Sequence, residues 1–284
     1  MILITGASGN VGKEVLKQAA ASGAEVRAAF QAANKAATAP SGVEIAMVDY
    51  NQPETVRTAL KGVDKVFLVG PPAQNLAALE RKAVDAIKQA GGAHIVKLSS
   101  LGGRAAIFSR QHAESEDYIK SSGVPFTFLR PNGFMQNLVR YDSTTINTQN
   151  AFYGCQGDAK VSHIDVRDVA AVAVKVLTED QHLGMTYTLT GPRALTNAEL
   201  AQILSDDLRR DIHYVDLPVE QLKQALLAAG VPEWSANALI DMQQLYRRGG
   251  ASTVTNDVEQ LLKRKPRSFE QFSRDHASLF QAAA

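Results

Sequence analysis

The chain has 284 residues, enough for one or two domains with a sizeable hydrophobic core and no need of a metal or disulfide for stability. Its 30 Lys and Arg residues are balanced by 29 Asp and Glu residues, so nucleic acid is not an expected partner. The single cysteine, Cys155, excludes an internal disulfide and indicates a reducing compartment, so a cytoplasmic protein is expected. The N-terminus does not resemble a signal peptide and no apolar run reaches the roughly 18 residues of a membrane helix, so no membrane partner is expected.

Short apolar runs alternate with amphipathic segments through the first half of the chain, the pattern of parallel strands joined by helices. The predicted strands are Ile2–Thr5, Glu25–Phe30, Glu44–Val48, Lys65–Val69, His94–Ser99 and Phe126–Leu129. The predicted helices are Val11–Ala21, Pro53–Leu60, Asn75–Gln89 and Gln111–Lys120. This order predicts an α/β fold with a Rossmann-type doubly wound parallel sheet, in which the ligand lies at the carboxyl ends of the strands.

The pattern changes after Pro131. A polar stretch predicted to be irregular, Asn132–Ser162, precedes a predicted helix over Val166–Leu177 and a strand over Thr186–Leu189. Three further helices are predicted over Asn197–Leu208, Val219–Ala229 and Ser235–Arg247. We therefore predict a dinucleotide-binding domain over residues 1–131, joined by residues 164–191, and a smaller, mostly helical C-terminal substrate lobe formed by residues 132–163 and 192–284.

Glycines recur every three residues between the first strand and the first helix. They suit a tight turn, a close approach of backbone to pyrophosphate and close packing of helix on strand, while the helix N-terminus presents N–H groups to phosphate. A purely structural turn is the alternative, but the strand–turn–helix context favours a nucleotide site. The predicted cofactor-binding residues here are Gly6, Ala7, Ser8, Gly9, Asn10, Val11 and Gly12.

The end of the second strand favours NADP(H) over NAD(H). A carboxylate at this place would bind the ribose 2′-hydroxyl of NAD and repel a 2′-phosphate, but the chain reads Ala-Ala-Phe-Gln up to Gln31. Lys35 is near enough to meet a phosphate, although it is equally well interpreted as a solvated surface lysine. NAD(H) stays the alternative cofactor.

Further cofactor contacts are expected at the ends of the later strands. Asp49 is predicted to accept from the adenine amino group, with a helix cap as the alternative, and the Gly70-Pro71-Pro72 segment is either a cofactor contact or an ordinary turn. The remaining predicted cofactor-binding residues are Tyr50, Val69, Ser99, Ser100 and Pro131.

The Tyr-x-x-x-Lys dyad of typical short-chain dehydrogenases and sugar epimerases is absent, because none of the seven tyrosines has a lysine four residues later. Where the dyad would be expected, His112 and Glu116 lie on one helical face. They are the predicted catalytic residues; the alternatives are a surface pair that stabilises the helix and a group that orients nicotinamide or substrate. No metal site is predicted, since no pair of histidines has metal-ligand spacing.

Several longer segments match one family over nearly the whole chain. They are ITGASGNVG, FLVGPP, KLSS, SGVPFTFLRPNGFMQN, HIDVRDVA, TYTLTGPRALTNAELAQILS, and AGVPE followed by GGASTVTND. The chain resembles the NmrA-like branch of the atypical short-chain dehydrogenases, and within it the NAD(P)H:quinone oxidoreductase and triphenylmethane reductase subgroup.

The resemblance implies that NADPH meets a planar aromatic acceptor, a quinone or a cationic dye, in a cleft between two lobes. By position, Gly70, Pro71 and Pro72 would flank the nicotinamide side, and Asn132, Phe134 and Asn137 would border the substrate. Relatives often carry an arginine for the 2′-phosphate where this chain has Gln31. Family members of the regulator type bind the dinucleotide without turnover.

The leading functional prediction is an NAD(P)H-dependent reductase that transfers hydride to a planar conjugated acceptor, because such acceptors need no strong acid as the hydride arrives. Phe134, Phe152 and Trp234 are candidate aromatic walls for the substrate; packing within the lobe is the alternative for Trp234. The competing predictions are an NADP(H)-binding redox sensor without turnover and, disfavoured by the missing dyad, an epimerase or dehydratase. A homodimer is one candidate assembly.

Overall fold

The computed structural model describes residues 1–280, which contain nine strands in two sheets. In chain order the strands are β1 (Ile2–Ile4), β2 (Val26–Phe30), β3 (Glu44–Met47), β4 (Lys65–Leu68), β5 (His94–Leu98), β6 (Phe126–Pro131), β7 (Ala151–Gly154), β8 (Thr186–Leu189) and β9 (His213–Asp216). The larger sheet has the order β3-β2-β1-β4-β5-β6-β8, and β7 pairs with β9 in the smaller one. The first six strands, β1 to β6, are neighbours in this sheet, and every pair of adjacent strands among them is parallel. This arrangement confirms the predicted Rossmann-type sheet.

Helices connect these strands. They are α1 (Asn10–Ala21), α2 (Ala33–Ala36), α3 (Pro53–Ala59), α4 (Leu76–Gln89), α5 (Ile107–Ser122), α6 (Ser143–Gln149), α7 (Val166–Thr178), α8 (Asn197–Leu208), α9 (Val219–Ala228), α10 (Glu233–Arg247), α11 (Asp257–Leu262) and α12 (Phe269–Asp275). A π-helical turn covers Leu138–Asp142, and a 3-10 turn covers Ala277–Phe280. Within residues 1–280 we find no helix with the length and apolar character needed to span a bilayer.

The strand order reverses at β1. The chain builds outward from β1 through β2 to β3, then returns to place β4 on the other side of β1. In an open parallel sheet, a crevice forms outside the carboxyl ends of the strands at such a switch point, and ligands bind there. The fold therefore directs attention to the ends of β1 and β4.

The described residues divide into two compact units. The first comprises residues 1–103, 109–130 and 166–188, and its core holds side chains of the large sheet and of the helices packed on it, including Leu68, Val84, Ile87, Ile95 and Phe128. The second comprises residues 104–108, 131–165 and those from 189 onward, with a separate core that includes Ile146, Phe152, Leu204, Phe272 and Phe280.

The second unit contains elements that the sequence pattern did not predict. The stretch Asn132–Ser162, predicted to be irregular, holds the π-helical turn, α6 and β7, and β9, α11 and α12 were also missed. The strands β7 and β9 are four residues long and pair only with each other among the described residues. Segments this short are stabilised by their tertiary partners rather than by a periodic pattern of their own.

Candidate cofactor-binding site

The glycine segment after β1 forms a tight turn, called the cradle below, in which a side chain at Gly6 or Gly12 would meet neighbouring atoms. Gly6 has a φ of +62°, and a Cβ on it would lie 3.1 Å from Val69 Cβ. A Cβ on Gly12 would lie 2.1 Å from the carbonyl oxygen of Gly6, so only glycine lets α1 pack this closely on the turn. Gly9 donates its N–H to Gly6 O at 2.8 Å and is the N-cap of α1, with no side-chain hydrogen bond at that position.

This geometry fits a dinucleotide. A long helix begins at the switch point without a side-chain cap, so its first N–H groups and positive dipole end suit a pyrophosphate. The residues predicted to contact the phosphates, Gly6–Gly12, all lie in this turn or in the first turn of α1. Their individual contacts with cofactor stay a prediction.

Hydrogen bonds join the carboxyl ends of β1 and β4. Thr5 Oγ1 donates to Phe67 O at 2.9 Å and accepts from the N–H of Val69 at 2.8 Å. The hydroxyl of Tyr50, which follows β3, donates to Val69 O at 3.0 Å. Burial raises the pKa of Tyr50, so the phenol stays a neutral donor. The crevice edge is thus a rigid set of strand ends.

The end of β2 lacks a carboxylate, as the sequence indicates. Ala28, Ala29 and Phe30 are buried in the strand, whereas Gln31 and Lys35 are exposed. Lys35 lies in the short helix α2, one turn beyond the strand end. An exposed lysine at this place is compatible both with a contact to a 2′-phosphate and with a purely solvated surface role.

Asp49 organises the turn before α3. Its Oδ1 accepts the N–H of Asn51 at 2.9 Å, and its Oδ2 accepts from Gln52 Nε2 at 3.4 Å. The N-cap of α3 is Gln52, so Asp49 forms a local Asx turn rather than the cap itself. The adenine contact stays a prediction.

A buried charge cluster lies behind the turn that follows β4. Lys97 Nζ, in β5, lies 2.5 Å from Glu80 Oε2, in α4, and both side chains are 0% exposed. Lys97 Nζ also lies 3.2 Å from His112 Nδ1, while Glu80 Oε1 accepts the N–H of Gly70 at 3.0 Å. Ser115 Oγ donates to Glu80 Oε2. Burial, together with the Lys97 cation, holds the pKa of His112 well below its usual range, so the imidazole is neutral.

Sequence reasoning missed Lys97 and Glu80. The available signal was Lys97 between the apolar residues Val96 and Leu98 of a predicted strand, since a lysine is almost never fully buried unless it is paired. Glu80 gave no comparable signal, because a glutamate in an amphipathic helix normally faces solvent.

Glu116 belongs to a different set of contacts from His112. Ser99 Oγ donates to Glu116 Oε1 at 2.5 Å, and Arg130 Nε donates to the same oxygen at 2.9 Å. Arg130 also donates through Nη2 to Glu116 Oε2, which completes a two-point pairing and raises the pKa of the guanidinium. His112 and Glu116 are 6% and 3% exposed, so the surface-pair alternative is wrong. Acid–base catalysis and the orientation of nicotinamide or substrate stay predictions for His112 and Glu116.

The remaining predicted residues of the first unit flank these clusters. Val69 and Gly70 are half-buried, Pro71 and Pro72 are exposed, and Ser100 donates its hydroxyl to Leu101 O at 2.9 Å. A Cβ on Gly70 would lie 3.0 Å from both Cγ and Oε1 of Glu80. The absence of a side chain at residue 70 therefore serves packing against Glu80.

The predicted substrate residues lie in the second unit and have varied surroundings. Asn132, which follows the buried Pro131, is buried; its Nδ2 donates to Ser162 Oγ and Ala251 O, each at 2.8 Å. Phe152 is buried in the core of this unit, with its ring centroid 5.4 Å from that of Tyr214. Half-buried Phe134 and Trp234, and exposed Asn137, complete the set. Their roles toward substrate stay predictions.

Comparisons with known proteins agree on one family. The model of the NmrA-like family matches residues 1–273. An NAD(P)H azoreductase of Xenophilus azovorans is 36% identical over 287 residues, with 100% of both chains covered. Two solved structures superimpose closely on this chain. The NADPH complex of an NADPH-dependent quinone oxidoreductase from Escherichia coli has a TM-score of 0.89 and 27% identity. The NADP(H) complex of a Citrobacter sp. triphenylmethane reductase has a TM-score of 0.86 and 27% identity. Each match covers 98% of this chain and 100% of the other.

Proposed function

The chain belongs to the NmrA-like family, as its motifs predicted, and we propose on this basis that it is an NAD(P)H-dependent reductase which transfers hydride to a planar conjugated acceptor. Three of its relatives are named for the reduction of azo compounds, quinones and triphenylmethane compounds. All three are conjugated systems, so the proposed acceptor class for this chain is a quinone or a dye of this type.

The observation that carries the proposal is the glycine cradle at the switch point. A Cβ on Gly12 would clash with Gly6 O and one on Gly6 would crowd Val69, so these glycines let α1 begin close to the strand ends with its N-terminus uncapped. A reduced nicotinamide, when bound, supplies the hydride. What the chain contributes is a seat for the dinucleotide phosphates and a fixed arrangement of the strand ends beside it.

Positioning is the main contribution expected of the polar residues near β5. The Glu116 carboxylate is paired with Arg130 and accepts from Ser99, so both of its oxygens are engaged by neighbouring side chains of the chain itself. His112 is neutral and hydrogen-bonded to Lys97. A conjugated acceptor spreads the incoming charge over its π system, so orientation against the cofactor supplies most of the rate enhancement.

NADP(H) is the proposed cofactor, with NAD(H) as a weaker alternative. Two relatives with solved structures are complexed with NADPH or NADP(H), and the azoreductase is named for both forms. The end of β2 in this chain supports the same choice, because no carboxylate there would repel a 2′-phosphate.

A turnover assay tests the proposal. Purified protein is mixed with NADPH and, separately, a benzoquinone, an azo dye and a cationic triphenylmethane dye, and oxidation is followed by the loss of reduced-nicotinamide absorbance. An unconjugated ketone is the control acceptor. We expect catalytic turnover with at least one conjugated acceptor and none with the ketone. Tight NADPH binding without turnover of any acceptor would instead support the redox-sensor alternative.

A further inference from the structure

Lys97 and Glu80 form an ion pair inside the apolar interior of the first unit. Both side chains are fully buried, and Lys97 extends from a strand whose five residues are all buried. Burial of such a pair gives little net stability, because two apolar side chains of similar volume usually do as well. Stability alone therefore does not account for two charges at this place.

Each charge has a second contact, and both contacts lead toward the candidate site. Glu80 uses Oε2 for Lys97 and Ser115 and its other oxygen, Oε1, for the N–H of Gly70 at 3.0 Å. Lys97 Nζ reaches Leu98 O and His112 Nδ1, each at 3.2 Å. The pair thus joins the turn after β4 to the helix that carries His112.

These contacts determine two orientations. A lysine ammonium has only donors, so the neutral His112 ring must accept at Nδ1 and carry its proton on Nε2. The Gly70 N–H donates to Glu80 Oε1, and a Cβ on residue 70 would lie 3.0 Å from the Glu80 side chain, so the turn packs directly against that side chain.

We infer that Lys97 and Glu80 are positioning residues, which hold the Gly70 turn and the His112 ring in the arrangement that the nicotinamide end of the cofactor requires. The inference rests on the proposed function and on the position beside the nicotinamide that the family resemblance implies for Gly70. It makes a specific distinction: loss of the pair affects the nicotinamide end and leaves the glycine cradle of Gly6–Gly12 intact.

The test uses the double variant Glu80→Met/Lys97→Met. Because both charges are removed together, no unpaired charge stays buried and the variant is expected to fold. Loss of a hydrogen bond to a charged acceptor predicts an affinity for NADPH about tenfold weaker and Gly70 amide hydrogen exchange about tenfold faster. Affinity for 2′,5′-ADP, which lacks nicotinamide, is expected to equal that of the wild type.

A milder variant keeps the inference testable if the double variant does not fold. Ser115→Ala removes only the hydroxyl that donates to Glu80, and Ser121→Ala, on an exposed face of the same helix, is its matched control. We expect faster Gly70 exchange and severalfold weaker NADPH binding for Ser115→Ala, with wild-type values for Ser121→Ala.

The outcomes separate the inference from the proposed function. Failure of the wild-type protein to turn over any acceptor contradicts the reductase proposal, yet the exchange and affinity measurements still decide the role of the pair. Wild-type Gly70 exchange and NADPH affinity in the double variant, or in Ser115→Ala when the double variant is unfolded, would overturn the inference. Equal weakening of NADPH and 2′,5′-ADP binding would also overturn it, because the effect would then extend to the cradle.

Discussion

Gly12 illustrates how one residue sets the geometry of the cofactor seat. Its missing Cβ lets α1 approach Gly6 O far more closely than any other residue permits. Gly6 itself has a left-handed φ that other residues adopt at a cost. Both constraints are local, so they leave a trace in the sequence as glycines at fixed spacing.

Gly12→Ala is predicted to abolish tight NADPH binding. A Cβ placed 2.1 Å from Gly6 O forces α1 away from the turn, and overpacking of this kind costs about 1–3 kcal/mol of stability. The measurements are NADPH affinity and the free energy of unfolding. Gly23→Ala is a control for a glycine with open space around it, though its φ of +78° adds some strain. Wild-type affinity in Gly12→Ala would contradict the role assigned to the cradle.

Lys35→Gln is predicted to weaken NADPH binding and to leave NADH binding unchanged. An exposed lysine that meets a 2′-phosphate contributes about 1 kcal/mol, roughly a fivefold change in affinity. Titration of both cofactors measures the difference. Lys61→Gln, an exposed lysine after α3, is the matched control. An unchanged ratio of the two affinities would indicate that Lys35 is only a solvated surface residue.

At the scale of elements, the π-helical turn Leu138–Asp142 partly removes the carboxyl group of Asp142 from water. Burial raises the pKa of Asp142 to about 7, so below that pH the folded protein favours the protonated acid. The folded-state pKa lies above that of the unfolded chain, so this group stabilises the fold at low pH and the stabilisation is lost as pH rises through about 7.

Asp142→Asn is therefore predicted to protect the protein at alkaline pH. Between pH 5 and pH 8 the wild type should lose on the order of 2 kcal/mol of unfolding free energy more than the variant does. Urea unfolding at the two pH values measures this, with the exposed Asp158→Asn as control. If the free energy of unfolding changes equally with pH in the wild type and in Asp142→Asn, Asp142 is ionised in the folded state.

At the scale of the whole molecule, buried histidines give stability a pH dependence opposite to that of Asp142. Burial lowers the pKa of His94 and of His163 to about 4, and that of His112 lies well below its usual value. The unfolded chain therefore takes up protons as pH falls through about 6.5 while the folded chain does not. Stability from these groups is present above pH 6.5 and is lost as pH falls toward 4.

We predict that His94 and His163 outweigh Asp142, for a net loss on the order of 1 kcal/mol in unfolding free energy between pH 7 and pH 5, and that His112 adds to this loss. His94→Gln should reduce the loss, because the variant has one titrating group fewer. His213→Gln, at a 63% exposed side chain, should leave it unchanged. A free energy of unfolding at pH 5 that equals or exceeds the value at pH 7 would contradict this account.

The sequence determined the parts of the protein that depend on short-range patterns. The order of strands and helices in the first half, the glycine cradle, the absent acid at the end of β2 and the family motifs were all readable, since each is a periodicity or a spacing within a few residues. The tertiary structure alone decided which polar side chains meet. Lys97 contacts Glu80 across 17 positions, and Glu116 contacts Arg130 across 14, through packing of strands and helices. No local pattern encodes such a contact, because its distance depends on where the fold places two separate elements.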